Sequence, residues 1–283
     1  MERTDFEYVS NLVQTRSAIV LEADKVYLIE SRLLPVAHRE GLGSVGELVS
    51  RLRSTSPNGL HQRVVEAMTT NETSFFRDTH PFDVLKKHVL VDMFARRATE
   101  KRLSIWCGAS STGQEPYTIA LILREHFPQH LDWKIDILAT DLSTDVLARA
   151  REGRYSQLEV NRGLPAPLLV KHFERHGTEW RVNDDIRRFV EFRQLNLISP
   201  IWRIGAADIV FLRNVLIYFD VPTKRAILQK VRGVMRRDGY LFLGGAETTL
   251  NIDDEFVRQS FDRVGCYRLK QATQSGAQPG ATR

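Results

Sequence analysis

The 283-residue chain reads as an α/β fold, a mostly parallel sheet with interleaved helices, preceded by an all-helical domain. Three observations predict it. Residues 103–141 run as an apolar strand, a turn bearing Gly108 and Gly113, a helix, and a second apolar strand that ends at Asp141. Further apolar runs then alternate with helix-length segments as far as Leu243, the pattern of a parallel sheet with right-handed crossovers. Before residue 85, apolar side chains recur at helical spacing instead.

In chain order, residues 1–85 read as a bundle of short helices. Tyr8, Leu12 and Val13, then Ile19, Leu21, Val26, Ile29 and Leu33, mark the buried stripes. Pro35 and the segment GLGSVGEL punctuate them, and Ser44 with Glu47 three residues on has the form of a capped helix start. The α/β domain spans 86–270. A connecting helix over 81–100 starts near Pro81 and ends in a basic cluster of Arg96, Arg97, Lys101 and Arg102. Strands are expected at Leu103–Cys107, Ile135–Thr140, Val190–Leu195, Asp208–Leu212 and Tyr240–Leu243. Helices fit at Gln114–His126, Thr144–Arg151 and Thr223–Arg236, the last opened by Pro222 in its first turn. Asp238-Gly239 signals a turn, and VGCYRLK near the end alternates as an edge strand does. Residues 154–189 are charged, hold Pro165 and Pro167, and break the rhythm, so they read as an inserted subdomain. The polar, Gly/Pro-bearing residues 271–283 are expected to be disordered.

Bulk properties exclude several classes. Apolar residues make up 42% of the chain, enough for a sizeable core. No apolar run is long enough to span a bilayer, and the acidic start MERTDFEYVS lacks the apolar segment of a secretory signal. Cys107 and Cys266 lie too far apart for a metal motif. A cytoplasmic protein without a metal is the expectation. The net charge of +5 is compatible with nucleic acid or with an acidic protein surface, but the basic and aromatic interleaving that holds single strands is missing.

The 103–141 unit suits a nucleoside. A carboxylate just past the second strand is where a ribose diol sits, so Asp141 is the ribose candidate; Ser143 already suffices as N-cap of the next helix. A dinucleotide would need a tight G-x-G-x-x-G turn with its pyrophosphate on the helix N-terminus. Here the glycines are wrongly spaced, and Glu115 opens the helix, where a phosphate would be repelled. A nucleoside with a cationic tail, such as S-adenosylmethionine, fits better. Arg213 and Asn214 follow the strand DIVFL at the end where ligands sit in open α/β sheets, and are unsuited to a pure core role.

Five segments carry a family resemblance. They are Asn71-Glu72-Thr73-Ser74-Phe75-Phe76-Arg77-Asp78, Ser111 to Tyr117 (STGQEPY), Ala139-Thr140-Asp141, Asn196-Leu197, and Arg213 to Asp220 (RNVLIYFD). Their residues and order resemble the chemotaxis receptor methyltransferases, the CheR family, over nearly the whole chain. The resemblance implies a class I methyltransferase sheet, an N-terminal helical domain and a small inserted β-subdomain. It implies methyl transfer from S-adenosylmethionine to receptor glutamate side chains. Asn71, Thr73 and Arg77 become parts of a lid, with Arg77 clamping a carboxylate of cofactor or substrate. Glu115 faces the methionine end, Asn196 and Leu197 contact adenine, and Arg213 and Asn214 complete the cofactor set. Tyr218 faces the methyl group. Phe75 and Phe76 are expected to pack. The alternatives are a regulatory module that binds the cofactor without turnover, and a methyltransferase of another substrate class.

The implied partner is the cytoplasmic helical bundle of a chemoreceptor, docked through basic residues of the second helix. Only Lys25, Arg32, His38 and Arg39 are available there, opposed by Glu30 and Glu40. The stretch FERHGTEWRVNDD has a single glycine, Gly177. It resembles members without the loop that tethers a C-terminal receptor pentapeptide, so no such tether is expected.

Overall fold

The computed structural model describes residues 1–22, 24, 26–261 and 264–270. The expected docking residue Lys25 and the expected disordered tail 271–283 lie outside the described residues. Four helices open the chain: α1 (Arg3–Ser17), α2 (Val26–Arg39), α3 (Val45–Ser54) and α4 (Gly59–Ala67). Their apolar faces close on one core built from Val9, Val13, Ile29, Leu33, Leu48 and Val64. Ser44 caps α3, accepting the Glu47 N–H, and Asn58 forms a reciprocal box with His61 at α4.

The connecting helix runs as α5 (His80–Val84), a π-helical turn (Leu85–Val89) and α6 (Leu90–Arg96), so it ends four residues earlier than expected. Of its basic C-terminus, Arg96, Lys101 and Arg102 are exposed. Arg97 is buried and grips Asp208 and Asp238 instead.

The α/β domain then alternates β1 (Arg102–Gly108), α7 (Gln114–His126), β2 (Lys134–Asp141) and α8 (Thr144–Glu152). An excursion follows through β3 (Arg154–Ser156), α9 (Gln157–Asn161), α10 (Ala166–His172), β4 (Phe173–His176), β5 (Glu179–Val182) and α11 (Asp184–Arg187). Its three strands form a small antiparallel sheet in the order β3-β5-β4. The chain returns through β6 (Val190–Gln194), β7 (Ala207–Leu212), α12 (Val221–Val234), β8 (Met235–Leu243), β9 (Phe256–Phe261) and β10 (Val264–Leu269).

The main sheet has the order β6-β2-β1-β7-β8-β10-β9. Its first five strands are parallel, and β10 is antiparallel to both neighbours. Side chains alternate between two cores. Ile105, Cys107, Ile209 and Phe211 face α7, while Trp106, Val210 and Leu212 face α12. That both-sided burial is why these strands read as continuous apolar runs.

Two expectations are corrected here. VGCYRLK is not an edge: β10 lies between β8 and β9, and the unpredicted β9 covers it. The last helix ends at Val234 rather than Arg236, because β8 begins at Met235 and pairs with Ala207.

The strand order reverses at β1. The chain moves outward from β1 to β2 and β6, then crosses back to β7 on the other side. A crevice opens beyond the carboxyl ends of strands at such a switch point.

Candidate active site

A cavity occupies that crevice. Its floor is the β1 turn (Ala109, Ser110, Ser111), its flanks are the residues after β2, β6 and β7, and its roof is the segment 69–77 after α4. All ten sequence-predicted site residues line it: Asn71, Thr73, Arg77, Glu115, Asp141, Asn196, Leu197, Arg213, Asn214 and Tyr218. The turn is tight. Ala109 and Ser111 have φ of 56° and 50°, and Gly113 has φ of 93°, with the Cβ of Ala150 only 3.0 Å from where its own Cβ would stand. A side chain there would strain the backbone and push α8 away.

Asp141 is nearly fully buried. One carboxylate oxygen accepts the Ser111 N–H at 2.8 Å and the other the Ser143 N–H at 2.9 Å. Burial pushes its carboxyl above the ordinary range, and the backbone N–H groups oppose that. The carboxylate keeps lone-pair capacity for a ligand hydroxyl. Ser143 caps α8 independently, so capping is not what holds Asp141 there.

Glu115 differs from expectation. Its carboxylate is not free to face a cation alone, because Arg213 Nη1 donates to it at 2.8 Å. Arg213 Nη2 donates to Asp78 at 2.7 Å and to the Arg77 carbonyl at 3.0 Å. Burial still pushes the Glu115 carboxyl up, more strongly than Arg213 pulls it down.

Asn196 also has neighbours of its own. Its amide donates to the Arg16 carbonyl at 2.6 Å and accepts from Ile198 N–H at 3.1 Å. This bond brings the end of α1 to the rim, where Ser17 and Ile19 join the lining. The sequence carried no signal for that, since 180 residues separate the partners.

Leu216–Tyr218 is one 3-10 turn, and the Tyr218 ring lines the cavity half-buried. Arg77 donates to the Glu72 carbonyl at 2.8 Å, which holds its guanidinium at the roof. Phe75 is fully buried against Tyr155 and Phe173, and Phe76 packs edge-on against Phe82, as expected of packing residues. Glu247 was missed by sequence reasoning. It accepts backbone N–H groups from the loop after β7.

Polar bridges join the roof to the sheet. Ser111 Oγ donates to the Asn71 carbonyl, and Glu66 accepts from both Thr144 N–H and Oγ1.

Two lining residues bear buried polar atoms without a partner, Ser110 Oγ and Arg213 Nε. With the Asp141 lone pairs and the apolar walls of Leu142, Leu197 and Phe219, the residues present suit a polar nucleoside with a charged tail. No group of His, Cys, Asp or Glu suited to a metal occurs among the described residues. A mostly parallel seven-stranded sheet with this switch-point cavity is the class I S-adenosylmethionine-dependent methyltransferase fold.

Comparison with known proteins narrows the class. Residues 71–264 match the model described as "CheR methyltransferase, SAM binding domain", and residues 4–69 match "CheR methyltransferase, all-alpha domain". The chain belongs to the CheR methyltransferase family. It is 42% identical to chemotaxis protein methyltransferase 1 of Pseudomonas aeruginosa over 94% of this chain and 98% of that one. It is 40% identical to chemotaxis protein methyltransferase Cher2 of Pseudomonas putida (89% and 93% covered), and 34% identical to the chemotaxis protein methyltransferase of Escherichia coli (89% and 87% covered).

Proposed function

We propose that this chain transfers a methyl group from S-adenosylmethionine to glutamate side chains of chemoreceptors, leaving glutamate methyl esters. The observation that carries it is the juxtaposition, in one switch-point cavity, of the buried Asp141 carboxylate and the Arg213–Tyr218 loop. The family match and near-full-length relatives support the substrate class.

When bound, S-adenosylmethionine supplies an electrophilic methyl group on a sulfonium. Asp141 accepts the ribose hydroxyls with its remaining lone pairs. Leu197 covers an adenine face, and Asn196 presents its amide at the rim. Asn71, Thr73 and Arg77 close the roof, with Arg77 placed to pair with a carboxylate. Glu115 and Arg213 hold the methionine end as a pair, so its ammonium and carboxylate both meet an opposite charge. Asn214 continues that wall.

The acceptor needs no general base. A glutamate with a pKa near 4.3 is ionised at neutral pH. The bound cofactor would supply the methyl group and keep the electron pair of the broken carbon–sulfur bond, leaving the glutamate as its methyl ester. The protein's part is alignment and exclusion of water. Tyr218 orients the acceptor oxygen. Replacing Tyr218 with Phe removes the orienting hydroxyl and should lower turnover about 10²-fold with cofactor affinity intact; unchanged turnover removes this role.

The receptor's cytoplasmic helices are the proposed partner, and the cytoplasm the proposed location. Among the described residues no helix is long and apolar enough to cross a membrane. The basic face of α2 is thin. Arg32 is spent on the Met68 carbonyl and Thr70, and Arg39 sits 3.5 Å from Asp145. Docking there should therefore be weak and sensitive to salt. The hairpin between β4 and β5 turns at Gly177 with no longer loop, which supports a member without a pentapeptide seat. Calorimetry with a receptor C-terminal pentapeptide should show no heat of binding; tight binding overturns that reading.

The test of function is radiolabelled methyl transfer to receptor-bearing membranes followed by alkali. Release of volatile methanol is expected for a carboxyl ester. Alkali-stable label indicates another substrate class, and no transfer indicates a binding module.

A further inference from the structure

Glu247 lies in the turn after β8, in a stretch (GGAETT) with nothing to mark it as functional. Its carboxylate is buried, with 9% of the residue exposed. One oxygen accepts the N–H groups of Val215 at 2.8 Å and Leu216 at 2.7 Å. The other accepts those of Asn214 at 2.8 Å and Gly244 at 2.6 Å. The Glu247 N–H returns a bond to the Gly244 carbonyl at 2.9 Å. Four donors fill the four lone-pair sites of a carboxylate. The group has no acceptor site left for substrate, and it does not line the cofactor cavity. It forms part of the wall of the neighbouring groove between Asp78, Leu243 and Tyr267.

The loop it grips is strained and short. Asn214 is left-handed at φ 58°, and the loop ends in the single turn that carries Tyr218. Three successive backbone N–H groups pointing at one anion are what hold this loop in that shape, since a neutral acceptor would satisfy fewer of them. Gly244 is part of the same device. A Cβ there would stand 2.8 Å from Asn214 N and from the Glu247 carboxylate.

We infer that Glu247 is a positioning residue of the methyl-transfer reaction: an anionic clamp that fixes the Asn214–Leu216 backbone and so aims Tyr218 at the acceptor. This rests on the proposed methyl transfer for its kinetic consequence and on the hydrogen-bond geometry alone for its structural one. Glu247→Gln replaces two acceptor sites with donors that oppose the loop N–H groups. Misplacement by about 1 Å costs on the order of 10²-fold in rate. Cofactor affinity should change less, because of the cofactor wall only Asn214 is held by the clamp, while Asp141, Glu115 and Asn71 stand on other elements. Glu247→Asp keeps the charge and should recover part of the rate.

The test has two arms. In the wild-type protein without ligand, hydrogen exchange at the amides of Asn214, Val215 and Leu216 should be as slow as in β7. Free exchange there overturns the clamp, whether or not any variant folds and whether or not receptors are methylated. In the kinetic arm, Glu247→Gln should lose turnover about 10²-fold, hold S-adenosylhomocysteine affinity within about fivefold, and lose protection at those amides. Unchanged turnover, or turnover and affinity falling in equal proportion, overturns it. Wild-type protein that fails to methylate receptors refutes the function reading instead, and leaves the exchange arm to decide the clamp.

Discussion

The two ends of β7 each carry one buried arginine held by two carboxylates, and they do opposite things. At the start of the strand, Arg97 donates through Nε to Asp208 and through both Nη atoms to Asp238. The second Asp208 oxygen takes the Ser104 N–H at 2.8 Å. Every guanidinium edge has its partner. At the far end, Arg213 is as deeply buried, at 1% side-chain exposure, yet its Nε has no partner. Its carboxylates, Glu115 and Asp78, come from the helix after β1 and from the roof. The protonation balance differs too. Arg97 holds the Asp238 carboxyl below its ordinary range, whereas burial lifts Glu115 above it despite Arg213. A satisfied cluster is a staple. The Arg213 cluster keeps an unpartnered donor beside the cavity, which supports a ligand-holding role there.

Breaking each cluster should sharpen that contrast. Arg97→Ala leaves the buried Asp208 with only the Ser104 N–H and a 3.5 Å contact from Arg236 Nε, so it should cost about 3 kcal/mol in urea unfolding. Arg213→Ala should cost less, about 1–3 kcal/mol, because Glu115 can take a proton and the half-exposed Asp78 reaches water. Equal losses would erase the distinction. Next in size, Asp141→Asn should weaken S-adenosylhomocysteine binding about 10- to 100-fold, the worth of one or two charge-assisted bonds. Titration calorimetry checks it.

The smallest effect is in the pH dependence, and its sign differs between the ends. Asp238 has a lowered folded pKa, so the folded state binds fewer protons there. That stabilisation is present above its unfolded value of 3.8 and is lost as pH falls through the lowered one. Glu115 and Asp141 have raised folded values, above 4.5 and 3.8. The folded state binds more protons there, so their contribution to stability falls as pH rises past those unfolded values. Glu115→Gln should therefore gain on the wild type in unfolding free energy from about pH 4 to about pH 7. A constant difference across that range contradicts the assignment.

The sheet and the site were unequally legible in the sequence. β1, β2 and β7 are buried on both faces, so their apolar runs announce them. The residues at the ends of β2 and β7, Asp141, Arg213 and Asn214, stand out because charged and polar side chains follow directly on a buried run. β9 (FVRQSF) hides because only Phe256 is buried in a strand otherwise open to solvent. The interior place of β10 is a matter of strand order, which side-chain alternation does not encode. Glu247 is invisible because its partners are backbone N–H groups, and a backbone donor leaves no residue type to read. The role of Arg97 is hidden for a related reason. Its partners lie 111 and 141 residues away.

The central claim is that the Arg213 end of β7 binds the cofactor and the Arg97 end only holds the sheet together. Calorimetric titration of S-adenosylhomocysteine into the wild type, Arg97→Lys and Arg213→Gln tests it most directly. Arg97→Lys should match the wild type in affinity while unfolding at lower urea. Arg213→Gln, folded by circular dichroism, should lose affinity by at least tenfold. Wild-type affinity in Arg213→Gln, or lost affinity in a folded Arg97→Lys, would contradict the account.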